Sequence, residues 1–271
     1  MPLAEPAMGP LPLATRSNGC FETMRAYGGR IFRLDDHLDR LDASATFLGT
    51  RAPSDRRRFA AQLTGALKRS GLREAVVRVA LIPREAAEAR PHLVVQPAQR
   101  PSAAQYRRGI HIAVVPAKKF SVASITPQAK YSARLGSVRA ISEAHVRGVD
   151  EAVFLDETGS VTESTASNLG MVKRRVIQTP PCWLGLLPGI TRDMLAELAA
   201  SSGVHYEEVP LTRHDLYNAD EVFLTSTLKE VLAVTRVDGR VIGSGRPGPV
   251  TRQLLHAFRG VVRRELRLGQ S

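Results

Sequence analysis

The stretch P-A-Q-R-P-S-A-A-Q (97–105) has the composition of a linker, and it divides the chain into two regions with their own strand and helix signals. In the first region F-E-T-M-R-A-Y (21–27) alternates, Gly28-Gly29 offers a two-residue hairpin turn, and R-I-F-R-L returns as a second strand. Asp35 is expected to cap a helix whose apolar face is Leu38, Leu41, Ala45 and Leu48, ended by Gly49. Ser54 is expected to cap a second helix, with Phe59, Leu63 and Leu67 on one face and Gly71 closing it. V-V-R-V-A-L-I (76–82) and H-L-V-V (92–95) read as strands.

The second region opens on the strand I-H-I-A-V-V (110–115), followed by a helix over 132–147. Short strands follow at E-A-V-F-L-D, V-T-E and L-G-M-V. A helix at 191–202, a strand at 204–211, a short helix capped by Thr212, the buried strand E-V-F-L-T-S-T and a helix from about Pro249 to Leu266 complete the pattern. The sum is α+β: a small N-terminal α/β domain over 1–100, a linker at about 97–108 and a larger sheet-rich domain over 109–271.

At 271 residues the chain can bury a substantial core. No apolar run approaches the ~20 residues that a membrane helix needs. The start, M-P-L-A-E-P-A-M-G-P, lacks the basic and apolar runs of a signal peptide, so a cytoplasmic protein is expected. Cys20 and Cys182 form neither a metal spacing nor a disulfide framework. The net charge of +12 invites a nucleic-acid reading, but the arginines are scattered and no aromatic residues interleave with them, so neither nucleic acid nor membrane is an expected partner. A basic field does suit anionic small molecules.

Four features could carry chemistry: Lys130, Glu163, the run L-P-G-I-T-R (187–192) and the run T-S-T-L-K-E (225–230). They supply an amine nucleophile, a carboxylate and two turns suited to an anion. Pyridoxal 5′-phosphate needs these parts: an amine for its aldehyde, an acid at its ring nitrogen and donors for its phosphate. Taken singly, each feature is ordinary, for Lys130 is one of 38 basic residues, and a glutamate at a strand end is usually solvated.

Order and wording change that weighting. A-K-Y-S-A-R-L-G-S-V (129–138), E-A-H-V-R-G-V-D-E-A-V-F-L-D (143–156), G-S-V-T-E-S-T-A-S-N (159–168), Q-T-P-P (178–181), L-P-G-I-T-R-D, A-D-E-V-F-L-T-S-T (219–227) and R-V-D-G (236–239) together resemble the class IV pyridoxal-phosphate aminotransferases, a family of D-amino-acid and branched-chain aminotransferases and aminodeoxychorismate lyases. The resemblance runs from about Gly19 to the C-terminal helix. It implies the two-domain fold type IV, with the cofactor between the domains and a homodimer. It implies that Lys130 is the Schiff-base lysine and that Glu163 faces the pyridine nitrogen. Phosphate falls to the backbone of Ile190 and Thr191, to Thr227 with Ser226, and to Arg40 in H-L-D-R-L. Phe21, Arg25 and Arg78 match pocket-facing positions. Asn168 and Arg192 are expected to support their turns, His37 to pack or cap locally, and Lys229 to lie at the rim.

Several features depart from the family. Only 18 residues precede Gly19, so the first domain is expected to start short. I-P-R-E-A-A (82–87) lacks the Arg-x-His carboxylate trap of D-amino-acid aminotransferases, and Val76 stands where branched-chain enzymes carry a tyrosine, although Arg78 is kept. The first reading is a transaminase that moves an amino group between an amino acid or amine and a 2-oxo acid. Its rival is a lyase of the aminodeoxychorismate type that releases pyruvate. A non-catalytic basic binding protein is the remote third, and it would predict a damaged lysine, glutamate or phosphate turn, all of which are intact.

Overall fold

The computed structural model describes residues 19–82, 89–115, 128–132 and 135–268. The chain forms two compact units, one of Met1–Gln99, Ala129–Ala133 and Val262–Ser271, the other of Arg100–Gln128 and Arg134–Val261. The short start before Gly19 and the 83–87 part of I-P-R-E-A-A lie outside the described residues.

The first unit contains β1 (Cys20–Tyr27), β2 (Arg30–Ile31), α1 (Leu34–Phe47), α2 (Arg56–Ser70), β3 (Ala75–Ile82) and β4 (Arg90–Pro97). Its antiparallel sheet runs β2-β1-β3-β4. One face, bearing Met24, Ala26, Val77, Val79, Leu81, Leu93 and Val95, packs on Leu38, Leu41 and Ala45 of α1 and on Phe59, Leu63 and Leu67 of α2. The expected caps are displaced. Helix α1 begins after a left-handed Arg33 with no side-chain cap, and Asp35 sits in its first turn, where a carboxylate suits the helix dipole. Asp55, not Ser54, caps α2 by accepting from Arg58 N at 2.9 Å. The C-terminal segment joins this unit: Arg30 donates to Leu266 O at 2.8 Å, and Arg33 pairs with Glu265 at 2.5 Å. A side chain on Gly28, at φ +57°, would also run into Leu268 at 2.6 Å.

The second unit begins with α3 (Ala103–Arg108), inside the stretch read as linker. Ser102 and Gln105 form a capping box there, which turns S-A-A-Q into a helix start. It continues through β5 (Ile110–Val114), α4 (Leu135–Val146), β6 (Glu151–Leu155), β7 (Val161–Ser164), β8 (Asn168–Lys173), β9 (Val176–Thr179), a 3₁₀ turn at Cys182–Leu184, α5 (Ile190–Asp193), α6 (Leu195–Ser201), β10 (His205–Glu208), α7 (Arg213–Tyr217), β11 (Glu221–Ser226), β12 (Glu230–Val237), β13 (Arg240–Val241) and α8 (Pro249–Glu265). The expected helix at 191–202 is broken at Met194 into α5 and α6. The sheet order is β10-β9-β8-β11-β12-β5-β6-β7, and β7 pairs back onto β8 through Glu163↔Asn168, closing a ring of strands. Ile112, Val153, Leu169, Val222 and Leu232 lie in its apolar core.

The α+β two-unit plan agrees with the fold class read from the sequence. Among the described residues no helix is long and apolar enough to cross a membrane, and no group of three or more His, Cys, Asp or Glu could hold a metal ion.

Candidate active site

In the first unit the chain around Lys130 runs beside the start of β1. Phe21 N donates to Lys130 O at 3.0 Å, Ser132 N donates to Gly19 O at 2.7 Å, and Tyr131 bridges to Cys20. Lys130 N donates to Ser44 Oγ at 3.0 Å, and the Ser44 hydroxyl donates to Arg40 O at 2.8 Å. Both backbone polar groups of Lys130 are therefore held. Its Nζ lies 5.0 Å from the centroid of the Phe21 ring.

Phe21 belongs to the sheet face turned away from α1 and α2. Because residues directly opposite on neighbouring strands share a face, the register Phe21↔Ala80, Thr23↔Arg78 and Arg25↔Val76 puts Phe21, Arg25 and Arg78 on that face together. Arg78 is half-buried; its Nε is buried with no hydrogen-bond partner among the described residues, and desolvation draws its pKa below the ordinary value. Arg25 is fully buried, 4.1 Å over the Tyr27 ring and 3.6 Å from Glu74.

Arg40 sits on the opposite face in a cluster that the sequence did not announce. Glu22, fully buried, accepts from Arg40 Nε at 2.6 Å, from Arg40 Nη2 at 2.9 Å and from His37 Nδ1 at 2.8 Å. A carboxylate only accepts, so Nδ1 of His37 carries the proton. Burial alone would raise the Glu22 carboxyl; the Arg40 charge and the hydrogen bonds from His37 and Arg40 overcome it and hold the group well below the usual carboxylate range. His37 is depressed by burial, against the pull of Glu22.

In the second unit Glu163 (β7), Asn168 (β8) and Thr225 (β11) form one cross-strand row, Glu163↔Asn168 and Asn168↔Thr225, with all three side chains on one face. Glu163 is buried; its Oε2 accepts from Asn168 Nδ2 at 3.2 Å and from Leu187 N at 3.1 Å. Asn168 Nδ2 also donates to Leu187 O at 2.8 Å. The row is thus joined to the turn that leads into Ile190 and Thr191. Gly189 precedes α5 with no side-chain capping bond, which leaves the first amides of that turn without an internal cap. Buried Arg192, at the start of α5, donates to Pro180 O at 2.8 Å and pairs with Glu208 at 2.7 Å, so the guanidinium is engaged with the 180 loop and β10.

Ser226 accepts from Lys229 N at 3.1 Å, and Thr227 begins the turn after β11. The Thr225 hydroxyl is buried and has no hydrogen-bond partner among the described residues. Strand alternation could have separated it from Ser226, but the T-S-T wording drew notice to the second and third residues instead. Lys229 pairs with buried Glu151 and donates to Ser167 Oγ at 3.2 Å, tying the turn to β6.

The two-unit α+β architecture is that of the fold-type IV pyridoxal-phosphate enzymes. The T.th. branched-chain amino acid aminotransferase, solved with pyridoxamine 5′-phosphate, superposes with a TM-score of 0.86 at 30% identity, over 90% of this chain and 85% of that one. The same enzyme solved with N-(5′-phosphopyridoxyl)-L-glutamate gives a TM-score of 0.84 at 30% identity, over 90% and 85% of the two chains. The model of the amino-transferase class IV family matches residues 19–237, and the chain belongs to that family. A branched-chain-amino-acid aminotransferase of Pseudomonas aeruginosa is 34% identical over 254 residues, covering 89% of this chain and 82% of that protein. A D-alanine aminotransferase of Bacillus licheniformis is 33% identical over 254 residues, covering 90% and 88%.

The protein is accordingly a pyridoxal-phosphate-dependent transaminase acting on amino acids and 2-oxo acids. Nothing in these relationships favours the lyase alternative. The residues present fit the cofactor: a buried carboxylate, an uncapped turn of backbone amides, an orphaned buried hydroxyl and an amine whose backbone is held at both ends.

Proposed function

We propose that this transaminase exchanges the amino group of an apolar amino acid with 2-oxoglutarate. The observation that carries the reading is the face of the first sheet turned away from its helices, where Lys130 Nζ lies 5.0 Å from the Phe21 ring and Arg78 stands across the strands from Thr23. Arg78 offers a partly desolvated guanidinium for a second carboxylate, while Phe21 and Ala80 offer apolar surface to an aliphatic side chain. The glutamate adduct bound by the T.th. relative supports a dicarboxylate as one of the two substrates.

When bound, the cofactor supplies an aldehyde and an electron-accepting ring. In this reading the Lys130 amine would hold the cofactor through its aldehyde and would move the proton at the substrate Cα. Glu163 holds a proton at the ring nitrogen. The amides of Ile190 and Thr191, the hydroxyls of Ser226 and Thr227, and Arg40 hold the phosphate. The exposed apolar side chains Trp183, Leu135 and Val138 support a homodimer, which sedimentation would check, and the two free cysteines support a reducing, cytoplasmic setting.

The test is an absorbance scan of the purified protein with D-alanine, L-leucine, L-glutamate and (R)-1-phenylethylamine. L-leucine and L-glutamate should each convert the ~400–420 nm cofactor band to ~330 nm. Conversion by D-alanine or the amine alone would overturn the substrate assignment, and a band that no donor shifts would reopen the lyase reading.

A further inference from the structure

The closing pair of the second-unit ring does more than complete a sheet. Asn168 Nδ2 is shared between Glu163 Oε2 at 3.2 Å and Leu187 O at 2.8 Å, while Leu187 N returns a hydrogen bond to the same Glu163 oxygen at 3.1 Å. The other end of the amide is also committed. A Cβ built on Gly189 would overlap Asn168 Oδ1, whereas its next neighbour outside that amide, Arg192 Cβ, would be at an ordinary 3.5 Å. Gly189 has a φ of −87°, open to any residue, so the absence of a side chain is required by the asparagine and not by the backbone. Asn168 is buried, as is Glu163, so neither group can replace its partners with water.

We propose that Asn168 is a positioning residue that sets the Glu163 carboxylate and the 187–191 turn as one piece, with the glycine at 189 serving as its socket. The proposal rests on the assignment of Glu163 and of Ile190 and Thr191 to the cofactor. It goes further by making the two ends of that cofactor's seat interdependent. A shift of the turn moves the amide that orients Glu163, and a change at Asn168 releases the turn.

The test is cofactor affinity of the holoenzyme by equilibrium dialysis, together with the position of its visible band, for Asn168→Ala, Gly189→Ala and the double variant. Each single change should weaken pyridoxal phosphate retention about tenfold or more, the effect of losing a hydrogen bond to a buried charged group. In the double variant the obstructing Oδ1 is gone, so Gly189→Ala should cost nothing beyond Asn168→Ala alone. Multiplicative losses would overturn the proposal, as would a Gly189→Ala protein with wild-type affinity and band. Should Asn168→Ala fail to fold, Asn168→Ser also removes the obstructing Oδ1. Glu163→Gln separates the two levels: wild-type turnover there would refute the assignment of Glu163, whereas lost turnover with multiplicative losses in the cycle would refute only the coupling.

Discussion

Replacing Glu22 by Gln removes one charge from the most enclosed ionic cluster of the first unit. The carboxylate accepts from four donors, two on Arg40, one on His37 and the Thr23 amide at 3.3 Å, and is itself fully buried, while the Arg40 side chain is only 11% exposed. A glutamine has one acceptor oxygen. Placing it at Oε2 keeps Arg40 Nη2 and His37 but points an amide N–H at Arg40 Nε. Removing one partner of a buried pair typically costs about 3–5 kcal/mol. At roughly 2–4 °C per kcal/mol for a chain of this size, the melting temperature should fall by roughly 6–20 °C. The pH dependence should change as well. Glu22 is held below its unfolded value of 4.5, so the unfolded chain binds its proton first. The stabilisation from that group is present above pH 4.5 and is lost as pH falls through the native pKa. Buried His37, depressed below 6.5, acts in the same direction. The assay is calorimetry of wild type and Glu22→Gln at neutral pH and at stepwise lower pH. The variant should start lower and lose less on acidification below pH 4.5. A drop under about 2 °C, or parallel acid profiles, would show that the cluster does not carry the energy its geometry implies.

Ser44→Ala removes the oxygen that accepts from the Lys130 amide and should cost about 1–3 kcal/mol and slow cofactor uptake, read by urea melts and stopped-flow absorbance; unchanged values would remove Ser44 from the seat of Lys130. Lys130→Ala should no longer become covalently labelled by cofactor plus borohydride, and peptide mapping that still finds a label elsewhere would displace Lys130 as the anchor. Arg78→Leu should raise KM for 2-oxoglutarate by about 10–100-fold while leaving pyruvate little affected, since a charge-assisted bond is lost with only one of them. Equal effects on both acceptors would mean that Arg78 acts on the scaffold.

Order and wording brought Lys130, Glu163 and the 187–192 turn forward, and the structure joins Glu163 to that turn through Asn168 and Leu187. The helix faces were legible too, since Leu38, Leu41, Ala45, Phe59, Leu63 and Leu67 repeat at helical spacing and are buried. Other parts were not. Helix α3 hid in a Pro- and Ala-rich stretch because one capping box decided it. Strand β12 begins at Glu230, a left-handed residue in contact with Arg259 and Tyr106, so its start carries a charge where alternation alone would look for an apolar residue. The Glu22–His37–Arg40 cluster and the Ser44 bond to Lys130 join different elements, and the Asn168 bridge ties nearby Glu163 to Leu187 beyond β9. Each is polar, and a polar residue reads as exposed until a second one from a distant element is seen to face it.

The three-stretch make-up of the first unit has a consequence for how the chain is made. Strands β1 to β4 and both their helices are complete once Pro97 has been synthesised. The segment that places Leu268 against Gly28 and Leu266 beneath Arg30 comes only after the whole of the second unit. At ribosomal speeds of about 5–20 residues per second, the N-terminal sheet waits roughly 8–30 s with its hairpin end uncovered. Residues 129–132, which pair with the start of β1, are synthesised within that interval, before the segment that covers the hairpin end of the same sheet. A chain halted late in translation would therefore have residues 129–132 available to that sheet while its hairpin end is still uncovered, and a chain permuted to begin at Val262 would cover that end first.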